Sequence, residues 1–598
     1  MNKTVTTILL SISLCLSANN LFSQKLETQG GVDSRSVSTK IKGGVSSSRV
    51  IILSNISLSY STNMGDIPSE DMGSGVVNKM NVDTLYFYLD PFDSHRRLII
   101  SADGFVPTHI NLKLSPKSTH VYNILEPSKA SDEFLMRERQ YEEGCRQFEA
   151  KSWVSAINTF LPLAEAGYLE AEDKLCMIFR DIRIRETLPV EIFSKFESEA
   201  QRGKPYAQFI TTTQYLDKYG LLTQREEELF AVLESAALSG SSYAQTAVAT
   251  AYQTGVGVDL DFFKAIEWYE RAATLDNSYA ILNLAIMVGN GSGVKADKAR
   301  AFELTKRAID LGQEFAMENL GVLYGFGEAS KNKDAEKSIY WFERAGNAGV
   351  DRAWSMIGLI YLNGTLLEKN YKKAYEYFAK GVELEEPFAM THVGVMYLLG
   401  YGFKADRERG LSWFKRSADM GDRYGQTYLA SYYFSERDYK EAWKWYKISG
   451  ENRDANGYWN LGQMCENRQS PSPYKQKDCI EWYEKAATMG ELESIRRLIE
   501  IYSKGTYVKK SREDEIRWTI TLANVGYDTD VMIRVANAYL DGDGVGMNEI
   551  EAIKYLERAA SLQSKAAMLK LAKLYREGIG VFVDEQKANE WEQKANNI

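Results

Sequence analysis

The chain lacks several things that would point to a function. Beyond its N-terminus it has no apolar run of 18 residues, so no membrane-spanning helix is expected. Basic residues do not dominate: 72 Lys and Arg stand against 81 Asp and Glu, for a net charge of −9. That balance argues against nucleic acid as a partner, because binding phosphates needs clustered Lys and Arg. Histidine is rare, with four in 598 residues. His95, His109 and His120 fall in one β-rich stretch beside Asp90 and Asp93, but their spacing matches no short metal motif and strand alternation does not converge them. Asp541-Gly-Asp543-Gly544 begins like a calcium loop, yet Val545 and Ala552 stand where oxygen ligands are needed. No metal and no cofactor is therefore expected. Proline is also scarce, 11 residues in all.

What the chain has is a period. A phrase that reads Ala-Ile-Glu-Trp-Tyr-Glu-Arg-Ala-Ala from Ala265 recurs along it. Its first position falls at Ala156, Phe193, Leu229, Ala265, Ala301, Ser338, Ala374, Gly410, Ala442, Cys479, Glu515, Ala552 and Ala588. The intervals are 36 or 37 residues, except for one of 32 before Ala442. Self-similarity at this period signals a solenoid, in which each repeat buries its apolar face against its neighbours. Each unit holds two helical stretches. In one, Ala316, Leu320 and Tyr324 step by four along a face, with Gly321 permitting a close crossing. In the other, Ala265, Trp268, Tyr269 and Ala272 share a face. Glycine pairs such as Gly255/Gly257, Gly291/Gly293, Gly400/Gly402, Gly542/Gly544 and Gly578/Gly580 punctuate the two. They read as helix ends, since no strand precedes them as a phosphate loop requires.

The pattern Ala-x-x-x-Leu-Gly-x-x-Tyr-x-x-Gly-x-Gly-Val, followed by Ala-x-x-Trp-Tyr-x-x-Ala-Ala, resembles the Sel-one-like repeat, a relative of the tetratricopeptide repeat. The period exceeds the 34 residues of the simpler relative, a Gly-x-Gly-Val insert is present, and the proline characteristic of that relative is scarce. The resemblance covers about residues 134–598; the unit at Ala442, with its short Phe434–Tyr439 turn, and those at Ala156 and Phe193 depart from it. It implies a right-handed α-solenoid of about 12–13 helix-turn-helix units and a role in protein–protein interaction. Some relatives have been linked to β-lactam hydrolysis, which makes Ser330-Lys-Asn-Lys333 a candidate S-x-x-K motif; no companion S-D-N or K-T-G motif exists. No catalytic residue is expected, and the protein reads as a non-enzyme.

Ahead of the repeats, residues 1–23 read as a secretory leader: Lys3, an apolar stretch from Thr7 to Leu16, and a cleavage site after Ser23, with Ala18 as the alternative. Lipidation of Cys15 is disfavoured by Leu14 at a position that wants a small residue. The expected location is outside the cytoplasm of a bacterium, in the periplasm or at the cell surface. Residues 24–48 read as a flexible linker, and 49–127 as a small all-β domain with period-two alternation, as in Ile56-Ser-Leu58-Ser-Tyr60. The stretch around Gly104-Phe105 resembles a PEGA-type β-sandwich module. Residues 128–598 form the solenoid. Export permits disulfides. Cys465 and Cys479, at facing helix ends, could pair or serve as buried thiols, whereas Cys145 and Cys176 are not expected to pair.

One feature is left for recognition. The residue before the first-helix alanine is aromatic in unit after unit: Tyr206, Tyr243, Tyr279, Phe315, Phe388 and Tyr424. A row in constant register could hold an extended protein segment, or stack on a cell-envelope glycan or peptidoglycan. It could equally pack each unit on its neighbour.

Overall fold

The computed structural model describes nine strand segments between residues 27 and 125, and residues 132–598 apart from 217–221, 223–224, 327–333, 365 and 472–473. Backbone contacts divide the chain into two units. One comprises residues 1–178 with 310–312; the other comprises 179–309 with 313–598.

In the first unit the strands pair into two sheets. The five-stranded sheet has the order Glu27–Gln29, Thr119–Leu125, Ser47–Ser54, Met80–Tyr88, Met72–Val77. The four-stranded sheet runs Gly65–Asp66, Ser59–Thr62, His95–Ser101, Thr108–Lys113. Ser47–Ser54 lies between an antiparallel neighbour, Met80–Tyr88, and a parallel one, Thr119–Leu125. How the sheets' side chains pack lies outside the described residues, as do the leader, Gly104-Phe105 and most of the stretch expected as a linker. Two helices follow, Asp132–Glu149 and Trp153–Glu165, packed with the Phe160 ring against Gly144.

The second unit is an all-helical solenoid. Its helices begin and end where the sequence chemistry dictates. Asp261, Asp334, Asn370, Asp406, Asn548 and Asp584 each cap a second helix, the side-chain oxygen accepting from the N–H three residues on. First helices end on glycines such as Gly255, whose φ of 69° a side chain would strain. Between paired helices the recurring phrase does the packing. Twelve of its thirteen anchor positions are buried, and only Phe193 is half-exposed. Ala265, Trp268, Tyr269 and Ala272 are all buried, as are Trp341 and Trp482; Trp413 is half-buried. Gly321 earns its place by proximity: a methyl there would stand 2.8 Å from the Phe342 ring of the partner helix. The irregular unit at Ala442 causes no break. Ala430, Ala442, Leu461, Cys479 and Ile495 belong to one continuous core, and Arg437 at φ 64° takes the role glycine has elsewhere.

This unit also folds back on itself. Leu260, just ahead of the helix Phe262–Thr274, is buried in the same core as Trp482 and Trp518. Phe263 packs against the core that includes Leu556 and Ala559, with Arg558 4.8 Å from its ring. A methyl on Gly255 would lie 2.7 Å from the Thr488 carbonyl oxygen. Two ion pairs close the seam, Asp261–Arg558 at 2.8 Å and Glu226–Arg453 at 3.1 Å, joining residues 297 and 227 positions apart. Successive turns of the superhelix therefore touch. Among the described residues no helix is long and apolar enough to cross a membrane.

Candidate interaction surface

The aromatic row sits on the first helix of each pair, and the structure divides it. Tyr206, Tyr243 and Phe388 are buried; Tyr279 and Tyr424 are half-buried; Phe315 is 44% exposed. The uninterrupted exposed ladder expected for a recognition row is thus not found. The cause is ring-to-ring packing between consecutive units: Tyr243 lies 5.9 Å from Phe209, and Tyr424 meets Phe388 edge-on at 5.1 Å.

Guanidinium groups accompany the rings. Arg180 lies 3.5 Å above Tyr279, Arg352 is 5.1 Å from Phe388, and Arg423 is 5.1 Å from its neighbour Tyr424. Arg352 stands just before Ala353, at the place where other units carry a ring, and it pairs with Glu318 at 3.7 Å. Burial holds the Tyr279 phenol and the Glu318 carboxyl above their ordinary ranges, while the nearby arginines pull both back. Glu386 is likewise raised by burial, although it accepts from Ser355 Oγ at 2.7 Å and from the N–H groups of Phe388 and Ala389. One turn beyond the rings come Asn283, Asn319, His392 and Tyr428. His392 is wedged between Phe388 at 4.2 Å and Phe378 at 5.3 Å, and burial lowers its pKa. The arginines were not anticipated. They fall outside the repeat phrase, and only the break in the aromatic register at Arg352 hinted at one.

The other candidates resolve separately. Ser330–Lys333 and the side chains of His95, His109 and His120 lie outside the described residues. Asp543 accepts from Arg512 at 2.6 Å, and Gly542 caps the preceding helix, so that segment is a repeat turn. Cys465 and Cys479 are free thiols in one core, where burial pushes them up to about 11 and about 12. Cys145 and Cys176 are free as well. Among the described residues no cluster of three metal-ligating side chains occurs.

Among solved structures, a protective antigen of uropathogenic Escherichia coli displaying an SLR fold is 24% identical, with 68% of this chain and 86% of that one aligned at a TM-score of 0.31. A Sel1 repeat protein from Oxalobacter formigenes is 28% identical over 38% of this chain and 95% of its own, at 0.30. An immunity protein from Pseudomonas aeruginosa is 20% identical over 36% and 83%, at 0.29. No curated protein matches. The Sel1 repeat profile matches nine times, at residues 242–277, 278–313, 315–350, 355–385, 387–422, 423–454, 455–491, 529–564 and 565–597. Those matches cover more than half of the chain and follow its helix pairs, and the chain belongs to the Sel1 repeat family.

Proposed function

We propose that the protein is an exported, non-enzymatic scaffold that binds a protein partner through the first-helix surface of its solenoid. The observation that carries this reading is the open part of the ring row. Tyr279, Phe315 and Tyr424 keep accessible area, and two of the three carry an arginine at the ring. Rings and guanidiniums together are the side chains that most often anchor protein interfaces. Glycan stacking would want the open ring faces that Arg180 and Arg423 already occupy, which favours protein over sugar. Export rests on the leader-like N-terminus, and the β segment ahead of the repeats is read as a separate sandwich-like module.

The test is a photo-crosslinking residue at position 315 in intact cells, with exposed position 232, on a second helix, as control. A defined protein adduct at 315 alone supports the reading. Glycan adducts, or equal labelling at both positions, would overturn it.

A further inference from the structure

The seam between superhelical turns has two unlike edges. One is formed by the loop before a second helix and that helix's N-terminus, as at Leu260, Asp261 and Phe263. The other is the C-terminal end of second helices one turn on, where Arg558 lies in the last turn of its helix and Leu562 caps it. Phe263 and Leu562 pack against the same core, and Asp261 pairs with Arg558.

The same register positions recur where no described residue covers them. Met547 and Val583 stand, like Leu260, one residue before the caps Asn548 and Asp584. Leu260 is 4% exposed, but Met547 is 67% and Val583 68% exposed; Phe582 is 96% and Ile550, the counterpart of Phe263, 62%. The opposite edge is bare earlier in the unit. Leu275 and Leu384, C-caps like Leu562, are 52% and 49% exposed. Apolar side chains of this size are normally withdrawn from water, and contiguous exposed ones mark contact sites.

We propose that the chain assembles head to tail with further copies of itself, the Met547–Val583 edge of one copy docking on the Leu275–Leu384 edge of the next. The partner is specified by the seam: the chain already contains, folded against each other, one example of each edge. Charge follows the same plan. Asp584 repeats Asp261, and Arg271 occupies the place of Arg558 in its helix. The contact is heterologous, so each copy keeps one edge of each kind and addition can continue.

Sedimentation of the full chain from micromolar to near-millimolar concentration tests this. The average mass should rise with concentration. Phe582→Asp with Val583→Asp should leave single chains, as should Leu275→Asp with Leu384→Asp, both with unchanged helicity and melting because all four sites face solvent. An equimolar mixture of the two variants should give two-chain species and nothing larger, since only one functional junction can form. A wild-type chain that stays single throughout, a variant that still self-associates, or a mixture that fails to pair would each overturn the proposal.

Discussion

Trp341 is 1% exposed, and its buried indole N–H has no acceptor among the described residues; the indole N–H groups of Trp482, Trp518 and Trp591 share that condition. A buried orphan donor costs about 1–3 kcal/mol, so ring area must outweigh it. The cations above these rings, Arg344 at 4.8 Å from Trp341 and Lys485 at 4.5 Å from Trp482, help without satisfying the N–H. Trp341→Ala should therefore cost about 3–5 kcal/mol in local stability, and Trp341→Phe less than half as much. Hydrogen exchange across 335–363 would show it. His392 supplies a pH dependence. Its folded pKa lies below the ordinary 6.5, so the unfolded chain takes up the proton first as pH falls. Stability is complete above about pH 6.5 and declines below it toward the folded value. The raised carboxyls of Glu318 and Glu386 work oppositely: the cost of their burial is present at neutral pH and fades as the pH falls toward 4.5. Melting followed from pH 7.5 to 5.5 should fall in the wild type and flatten in His392→Gln.

At the scale of the element, the sequence is nearly transparent. Periodicity located the helix pairs, and the glycine and Asp/Asn punctuation located their ends, because these signals act within a few residues of the backbone they shape. Gly321 is the sharpest case. Its closeness to Phe342 predicts that Gly321→Val will destabilise this pair by about 1–3 kcal/mol through overpacking, with the loss in exchange protection confined to residues 315–347. The ring row was less legible. A constant register announces that a position matters to every unit, but the same pattern arises whether a ring meets a partner or the next helix. Phe388 and Phe315 are indistinguishable in sequence, yet one is buried against Tyr424 and His392 and the other is open.

The seam belongs to the scale of the whole unit and left no local trace. Asp261 and Arg558 look like an ordinary helix cap and an ordinary last-turn arginine, and each also serves those purposes. Their meeting depends on how small rotations accumulate over many repeats, which no single repeat encodes. Because Arg558 and Asp261 are largely withdrawn from water, deleting one partner should cost more than deleting both. Asp261→Asn should melt lower than Asp261→Asn with Arg558→Met, a comparison made by a double-mutant cycle.

An open coil of repeats stretches as a soft spring, each joint bending a little and independently of the rest. In a coil whose turns are stitched together, the stitches must part before the joints can yield. Pulled from residues 226 and 558, this unit should hold its length until the Leu260 and Phe263 contacts rupture, then lengthen abruptly. A partner seated along it would meet a ruler with fixed spacing.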